Sequence, residues 1–152
     1  MAQWVETERG IAGLQDCDAN RHMTVTAYFE KFGQSSAYLV ALAGVYYNEI
    51  VEQGYGLGTI VTTLRYPAEL VDGDRYVIES AFVRLGNTSF RYIHKMINAG
   101  TNELAASSDN IEALFDFKTR KSTPFTDEMR AGIEPLLVDL TDAEREWFDT
   151  GR

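Results

Sequence analysis

Residues 16–32 read DCDANRHMTVTAYFEKF and join a polar loop to an apolar helix. The loop half carries two Asp, an Asn and a His without a hydrophobic period, which is typical of irregular structure. Thr24 or Thr26 can cap the following helix with a side-chain oxygen. From Val25 to about Gly44 only two residues are charged. This composition predicts one long helix that is covered by protein on most sides.

The chain after this helix has the pattern of a sheet. A shorter helix over 45–53 comes first and ends at Gly54, which suits a C-terminal cap. Most of 56–117 alternates or is rich in β-branched residues, with turn sequences at 71–74, 86–89 and 99–102. We expect further short elements at 3–9 (strand), 126–132 (helix) and 141–149 (helix). Because the sheet must bury its apolar face against the long helix, the sequence predicts an α+β fold, a curved antiparallel sheet wrapped around one central helix.

Composition narrows the range of partners. The chain has 152 residues, is 45% hydrophobic and carries a net charge of −9. Nucleic acid is therefore not an expected partner, because binding to phosphates needs concentrated Lys and Arg. The one cysteine, Cys17, excludes an internal disulfide and favours a reducing compartment. No secretory pattern and no bilayer-length apolar run is visible, so we expect a cytoplasmic protein that does not bind membranes.

The loop motif resembles the hotdog superfamily, in particular its 4-hydroxybenzoyl-coenzyme A thioesterase-like branch. That family carries an Asp in this loop, then a Gly-His or small-residue stretch, then an aromatic residue on the first helical turn. These roles fall on Asp18, His22 and Tyr28. Weaker matches are RLGNTSF (84–90) and FDFKTRKSTPF (115–125). The resemblance implies a single hotdog domain over 1–152 that assembles side by side as a homodimer or homotetramer.

The chain also departs from the family pattern. Arg21 stands where the family has Gly before the His, and Thr24 and Val25 replace the Asn-Asn that often follows it. These differences leave the acyl group open. The tail over 116–125 resembles thioesterases for small polar acyl groups in carnitine or betaine breakdown.

A carboxylate just before a helix can hydrolyse a thioester. Asp18 can attack the carbonyl or activate a water. The first N–H groups of a helix have no partner inside it and favour negative charge, so those of Thr24, Val25 and Thr26 are candidate oxyanion donors. The resemblance favours Val25. We expect no metal and no cofactor, since coenzyme A is part of the substrate.

Each candidate residue also has a structural explanation. Asp16 suits a structural or solvated role, and His22 can hold the loop through backbone bonds. Tyr28 and Phe32 are often core residues, and His94 reads as a packed strand residue. Thr88 and Ser89 are turn residues that can also touch the substrate. The basic residues near strand ends that could bind phosphates are Arg91, Lys95, Lys118, Arg120 and Lys121; the resemblance favours Arg120 and Lys121.

Two other functions compete with hydrolysis. Hotdog hydratases or dehydratases have a loop sequence that resembles D-x-N-x-x-H. Asp18, Asn20 and His22 come close to this pattern, but the His is one residue too early. A non-catalytic acyl-thioester binding protein would keep the fold without needing Asp18. The spacing and the presence of Asp18 favour acyl-coenzyme A hydrolysis.

Overall fold

The computed structural model describes residues 3–150. Six strands and four helices follow one another in chain order, with 3-10 turns at Leu14–Asp16 and Glu134–Leu136. The elements are β1 (Val5–Ile11), α1 (Val25–Leu42), α2 (Tyr47–Glu52), β2 (Tyr55–Arg65), β3 (Arg75–Leu85), β4 (Ser89–Asn98), β5 (Glu103–Asp116), β6 (Lys121–Ser122), α3 (Asp127–Ile133) and α4 (Asp142–Thr150).

The strands form one antiparallel sheet in the order β1-β3-β4-β5-β2. The two-residue strand β6 pairs with the end of β5. β1 and β2 are therefore the edges of the main sheet. The strands β2 to β5 match the predicted strand region to within one residue, and the antiparallel prediction is confirmed. The pattern of the sequence did not predict β6, because two residues are too few to show an alternation.

The helices begin and end where the local chemistry requires. Thr24 is the N-cap of α1, and its Oγ1 accepts a hydrogen bond from the Ala27 N–H at 3.2 Å. Gly44 (φ +77°) and Gly54 (φ +89°) follow α1 and α2 in the left-handed conformation that glycine adopts most readily. No described helix is long and apolar enough to cross a membrane.

The core lies between α1 and one face of the sheet. Tyr28 and Phe32 of α1 are buried against Ile78 and Met96, and further along the helix Leu39 packs in the cluster that contains Phe82, Phe90 and Tyr92. Ile78 and Phe82 of β3 and Phe90, Tyr92 and Met96 of β4 therefore face the helix. The opposite face is covered by the C-terminal segment, where Leu140 and Phe148 pack on Ile93.

One face of α1 remains open. Val25 is 60% exposed, Phe29 56% and Tyr38 51%. The neighbouring edge strand β2 exposes Ile60 (61%) and Val61 (47%). The prediction of a helix covered on most sides is therefore wrong for the single chain. The sequence pattern reports which side chains are apolar and does not report whether the same chain covers them.

Candidate active site

The loop before α1 holds Asp18 by hydrogen bonds from its own backbone. Asp18 Oδ1 accepts from the N–H groups of Asn20 (2.9 Å) and His22 (3.3 Å). The backbone of Asp18 also donates to the carbonyl of His22 and accepts from the N–H of Arg21. Within residues 3–150, Oδ2 has no hydrogen-bond partner, and the side chain is exposed. The carboxylate is thus oriented through one oxygen while the other is free to react.

Arg21 fastens this loop to the segment between β2 and β3. Its Nε and Nη2 donate to the two carboxylate oxygens of Asp72 at 2.8 and 2.9 Å. Arg21 has φ +65°, in the left-handed region that favours glycine. This conformation gives a physical reason for the family's Gly at this position. The paired guanidinium lowers the pKa of Asp72 and keeps it charged.

The first turn of α1 presents free N–H groups beside this loop. The N–H of Thr24 donates to the carbonyl of Asp16 at 2.9 Å, so the prediction that Thr24 could be an oxyanion donor is wrong. The N–H of Ala27 is taken by the Thr24 side chain. Among the hydrogen bonds of the described residues, none uses the N–H of Val25 or Thr26. These two groups lie at the positive end of the helix dipole.

Asp18 and the start of α1 line one cleft of about 570 Å³, a volume typical of small-molecule sites. Of the predicted site residues, Asp18, His22, Val25 and Tyr28 come together here. The lining residues are Asp18, His22, Met23, Thr24, Val25, Tyr28, Tyr66, Pro67, Ala68 and Glu69.

Two of these predicted residues form polar contacts with other residues of the protein. His22 Nδ1 lies 2.8 Å from Glu69 Oε2. The Tyr28 hydroxyl accepts a hydrogen bond from the N–H of Leu70 at 3.1 Å, and the side chain is only 4% exposed. Tyr28 is therefore both a core residue and part of the cleft wall.

Asp16 has the structural role that the sequence suggested. Its Oδ2 accepts a hydrogen bond from the Gly13 N–H at 2.9 Å, and Oδ1 lies 3.5 Å from Lys31 Nζ. It does not line the cleft.

The other predicted substrate-binding residues lie at the far end of the sheet. Thr88 and Ser89 belong to the turn between β3 and β4 and its exit, whereas the Asp18 loop adjoins the start of β3. Arg120 and Lys121 lie beyond the end of β5, near the same turn. The 11 residues of β3 separate the two ends, and such a strand spans roughly 35 Å. One chain therefore does not bring these four residues to Asp18.

Two groups of cavity-lining residues were not predicted from the sequence. Tyr66, Pro67 and Glu69 line the cleft from the β2–β3 loop, and no local pattern linked this loop to Asp18. Glu112 is buried on β5, facing α1. Its signal was available, because the alternation through Asn110 and Leu114 places Glu112 on the inner face.

Comparisons with known proteins agree with this architecture. A Staphylococcus aureus protein solved in complex with CoA superposes with a TM-score of 0.84 at 17% identity, over 93% of this chain and 90% of that one. The 1,4-dihydroxy-2-naphthoyl-CoA thioesterase from Synechocystis gives a TM-score of 0.77 at 15% identity, over 85% and 95% of the two chains. At these identities the likeness is one of fold.

A sequence relative and a family model extend the comparison. The L-carnitine dehydrogenase/betainyl-CoA thioesterase of Rhizobium meliloti (strain 1021) is 25% identical over 119 residues, which are 78% of this chain. The match spans only 24% of that relative's length. The model of the Thioesterase-like superfamily matches residues 12–133, from the Asp18 loop through the sheet to α3. With this match over most of its length and the predicted hotdog fold in place, the chain belongs to the Thioesterase-like superfamily.

Proposed function

We propose that this protein hydrolyses an acyl-coenzyme A thioester to a free acid and coenzyme A. The observation that carries the proposal is the pairing, in one cleft, of a carboxylate with a free oxygen (Asp18) and a helix N–H without a partner (Val25). Membership of the superfamily supports the same reaction class.

In this mechanism the thioester carbonyl oxygen accepts hydrogen bonds from the start of α1, with Val25 as the main donor. Asp18 then either attacks the carbonyl carbon, giving an anhydride that water opens, or takes a proton from an attacking water. Both routes pass through a tetrahedral oxyanion, which the helix N-terminus stabilises. As the carbon–sulphur bond breaks, the sulphur takes up a proton, from Asp18 in the base route and from solvent water in the nucleophilic route, and coenzyme A leaves as the thiol. Neither route calls on a metal or cofactor.

His22 acts in this scheme as a positioning residue. Its backbone N–H donates to the Asp18 carboxylate and orients it, and its imidazole ring contacts Glu69. A hotdog hydratase would instead need the ring as an acid or base. The spacing of Asp18, Asn20 and His22, with the His one residue too early for the hydratase pattern, favours hydrolysis over that alternative.

Assembly completes the proposed site. Among residues 3–150 no strand pairs with the outer edge of β2, which exposes Ile60 and Val61. Long exposed edges are normally paired or covered. A two-fold antiparallel pairing of β2 with a second copy would bring opposite ends of the two sheets together. Thr88, Ser89, Arg120 and Lys121 of the second copy would then approach the Asp18 cleft. We therefore propose a homodimer in which these residues bind the coenzyme, with a homotetramer as the larger alternative. A cytoplasmic location stays a prediction from the sequence pattern.

The test is a panel of acyl-coenzyme A substrates with release of free thiol as the readout, run on the parent protein and on Asp18→Asn. Hydrolysis by the parent that collapses in the variant is the expected result. Binding of acyl-coenzyme A without hydrolysis by either protein would favour the non-catalytic binding protein.

A further inference from the structure

A second cavity, of about 150 Å³, lies between α1, β2 and β5. It differs from the Asp18 cleft in combining buried polar groups with aromatic walls. Its lining residues are Phe29, Phe32, Gly33, Ser36, Tyr47, Thr59, Thr62, Tyr92, Ser108, Asn110 and Glu112.

Glu112 is the unusual member of this cavity. It is only 6% exposed, and its Oε1 accepts hydrogen bonds from the Tyr92 hydroxyl (2.6 Å) and the Thr59 hydroxyl (3.2 Å). Its Oε2 is buried without any hydrogen-bond partner. No ion pair among residues 3–150 includes Glu112. A buried carboxylate without a cation is costly, so a positive group brought by a ligand would be bound favourably here.

The walls around Glu112 suit a cation that carries no N–H groups. Phe29, Phe32, Tyr47 and Tyr92 all line the cavity, and aromatic faces attract quaternary ammonium groups. Burial, and then the charge of Glu112, raise the pKa of Tyr47 to about 12, so this ring stays neutral. A trimethylammonium group needs no hydrogen-bond acceptors and can be held by one carboxylate and several rings.

The cavity adjoins the proposed acyl path. Val25 lines the Asp18 cleft, and Phe29, one helical turn later, lines the second cavity. The rise per residue places Phe29 about 6 Å and Gly33 about 12 Å along the helix from Val25. A Cβ on Gly33 would meet nothing within 4 Å, so there is room beside the helix. An acyl group with its carbonyl at Val25 could thus extend along α1 towards Glu112.

We propose that the second cavity selects acyl groups that end in a quaternary ammonium cation, with Glu112 as the specificity-determining residue. The inference rests on the proposed hydrolysis for its biological meaning but can be tested by binding alone. A cationic acyl group would neutralise Glu112, whereas an uncharged group of the same shape would leave the carboxylate buried and unpaired.

The experiment compares charged acyl groups with their uncharged carbon isosteres. The pairs are (trimethylammonio)acetyl with 3,3-dimethylbutanoyl, and 4-(trimethylammonio)butanoyl with 5,5-dimethylhexanoyl. Each is presented as a non-hydrolysable coenzyme A ketone, with a methylene between carbonyl and sulphur. Calorimetry then gives the ratio of the two dissociation constants, and release of thiol from the true thioesters gives the ratio of kcat/KM.

We expect the parent to prefer the cation of at least one pair by about tenfold or more. Glu112→Gln keeps the shape and the contact with Tyr92 while removing the charge, so the preference should disappear. Phe29→Leu, at an exposed position where folding is not at risk, should reduce the preference several-fold. Glu103→Gln, an exposed change on the same strand, should leave it unaltered.

The two proposals fail in different ways. Equal binding of charged and uncharged analogues, or no binding of either, overturns the inference. A preference that survives in Glu112→Gln overturns the role of Glu112. A cation preference in binding without any release of thiol supports the cavity's selectivity and refutes the proposed hydrolysis.

Discussion

Nδ1 of His22 lies 2.8 Å from Oε2 of Glu69, so a carboxylate of the β2–β3 loop holds the imidazole that follows Asp18. If the ring only positions the loop, His22→Ala should lower thiol release by about tenfold or less, below the ~10²–10⁴-fold effect of removing an acid or base. Glu69→Gln weakens the same contact and should give a similar or smaller loss. A hydratase would lose all activity in His22→Ala, and hydration of an enoyl thioester by the parent would support that alternative.

Asp18→Asn should abolish most of the hydrolysis. The amide keeps the size and accepts the same backbone hydrogen bonds but can neither attack nor take up a proton. Turnover should fall by about 10²–10⁴-fold with substrate binding retained. Asp16→Asn is the matched control, because that side chain bonds to Gly13 and does not line the cleft. Loss of turnover in Asp16→Asn together with an active Asp18→Asn would assign the catalytic role to Asp16 instead.

Arg120 and Lys121 should act on substrate binding and from the second copy. Their joint replacement by Ala should raise KM more than it lowers kcat, because phosphate contacts bind substrate and transition state alike. The strongest test mixes this variant with Asp18→Asn after unfolding and refolding together. If each site takes Asp18 from one copy and the basic pair from the other, random pairing restores about one quarter of the sites. Activity that remains at the level of the separate variants would argue that both sets belong to one chain or that the basic pair has no role.

A charge on the free edge of β2 should separate the proposed dimer. Ile60→Lys places an ammonium on a strand edge that a second copy would cover, and charged edges resist pairing. Light scattering at micromolar concentration should report a dimer for the parent and a monomer for the variant. Ile11→Lys is the matched control, since Ile11 is similarly exposed on the opposite edge strand β1. A monomeric parent would contradict the assembly outright.

His94 should make the fold sensitive to mild acid. It is fully buried between Ser36 and Ser80, and burial lowers its pKa to about 3. Below about pH 6.5 the unfolded chain takes up a proton that the folded chain refuses, so stability is lost as the pH falls. The free energy of unfolding should fall by up to ~1.4 kcal/mol per pH unit from this group.

Urea unfolding at pH 7.5, 6 and 5 measures this dependence. In His94→Gln, which cannot take up the proton, the free energy of unfolding should fall less steeply with decreasing pH. His22→Gln, at a half-exposed site, should change this slope less than His94→Gln does. Equal slopes in the parent and in His94→Gln would contradict the assignment.

Local signals predicted the elements well. Neighbouring residues suffice to predict the Thr24 cap and the glycine after each of α1 and α2. At the start of α4, Thr141 and Glu144 exchange hydrogen bonds in a capping box, which is also a local pattern. Alternation and β-branched residues over 56–117 correctly indicated the strand region. The sheet order could not be read this way, because it depends on contacts between residues far apart in the chain.

The site was predicted only in part for the same reason. Asp18, His22, Val25 and Tyr28 are close in sequence and meet in the cleft. Glu69 joins them through a long-range contact that no local pattern shows. Glu112 is different, because the alternation of β5 already places it on the inner face. The predicted coenzyme residues share the far end of the sheet, where only a second chain could bring them to Asp18.

The left-handed backbone conformation at Arg21 can be reached either by a glycine or by an arginine that forms an ion pair. A glycine adopts φ +65° at little steric cost but leaves the segment with more conformational freedom. Arg21 accepts the strain of this conformation, and its two contacts with Asp72 hold the turn in place. The ion pair with Asp72, just before β3, thus preorganises the loop, so the proposed substrate would have less of it to order on binding. The ion pair also gives the Asp18 loop a sensitivity to ionic strength that a glycine would not confer.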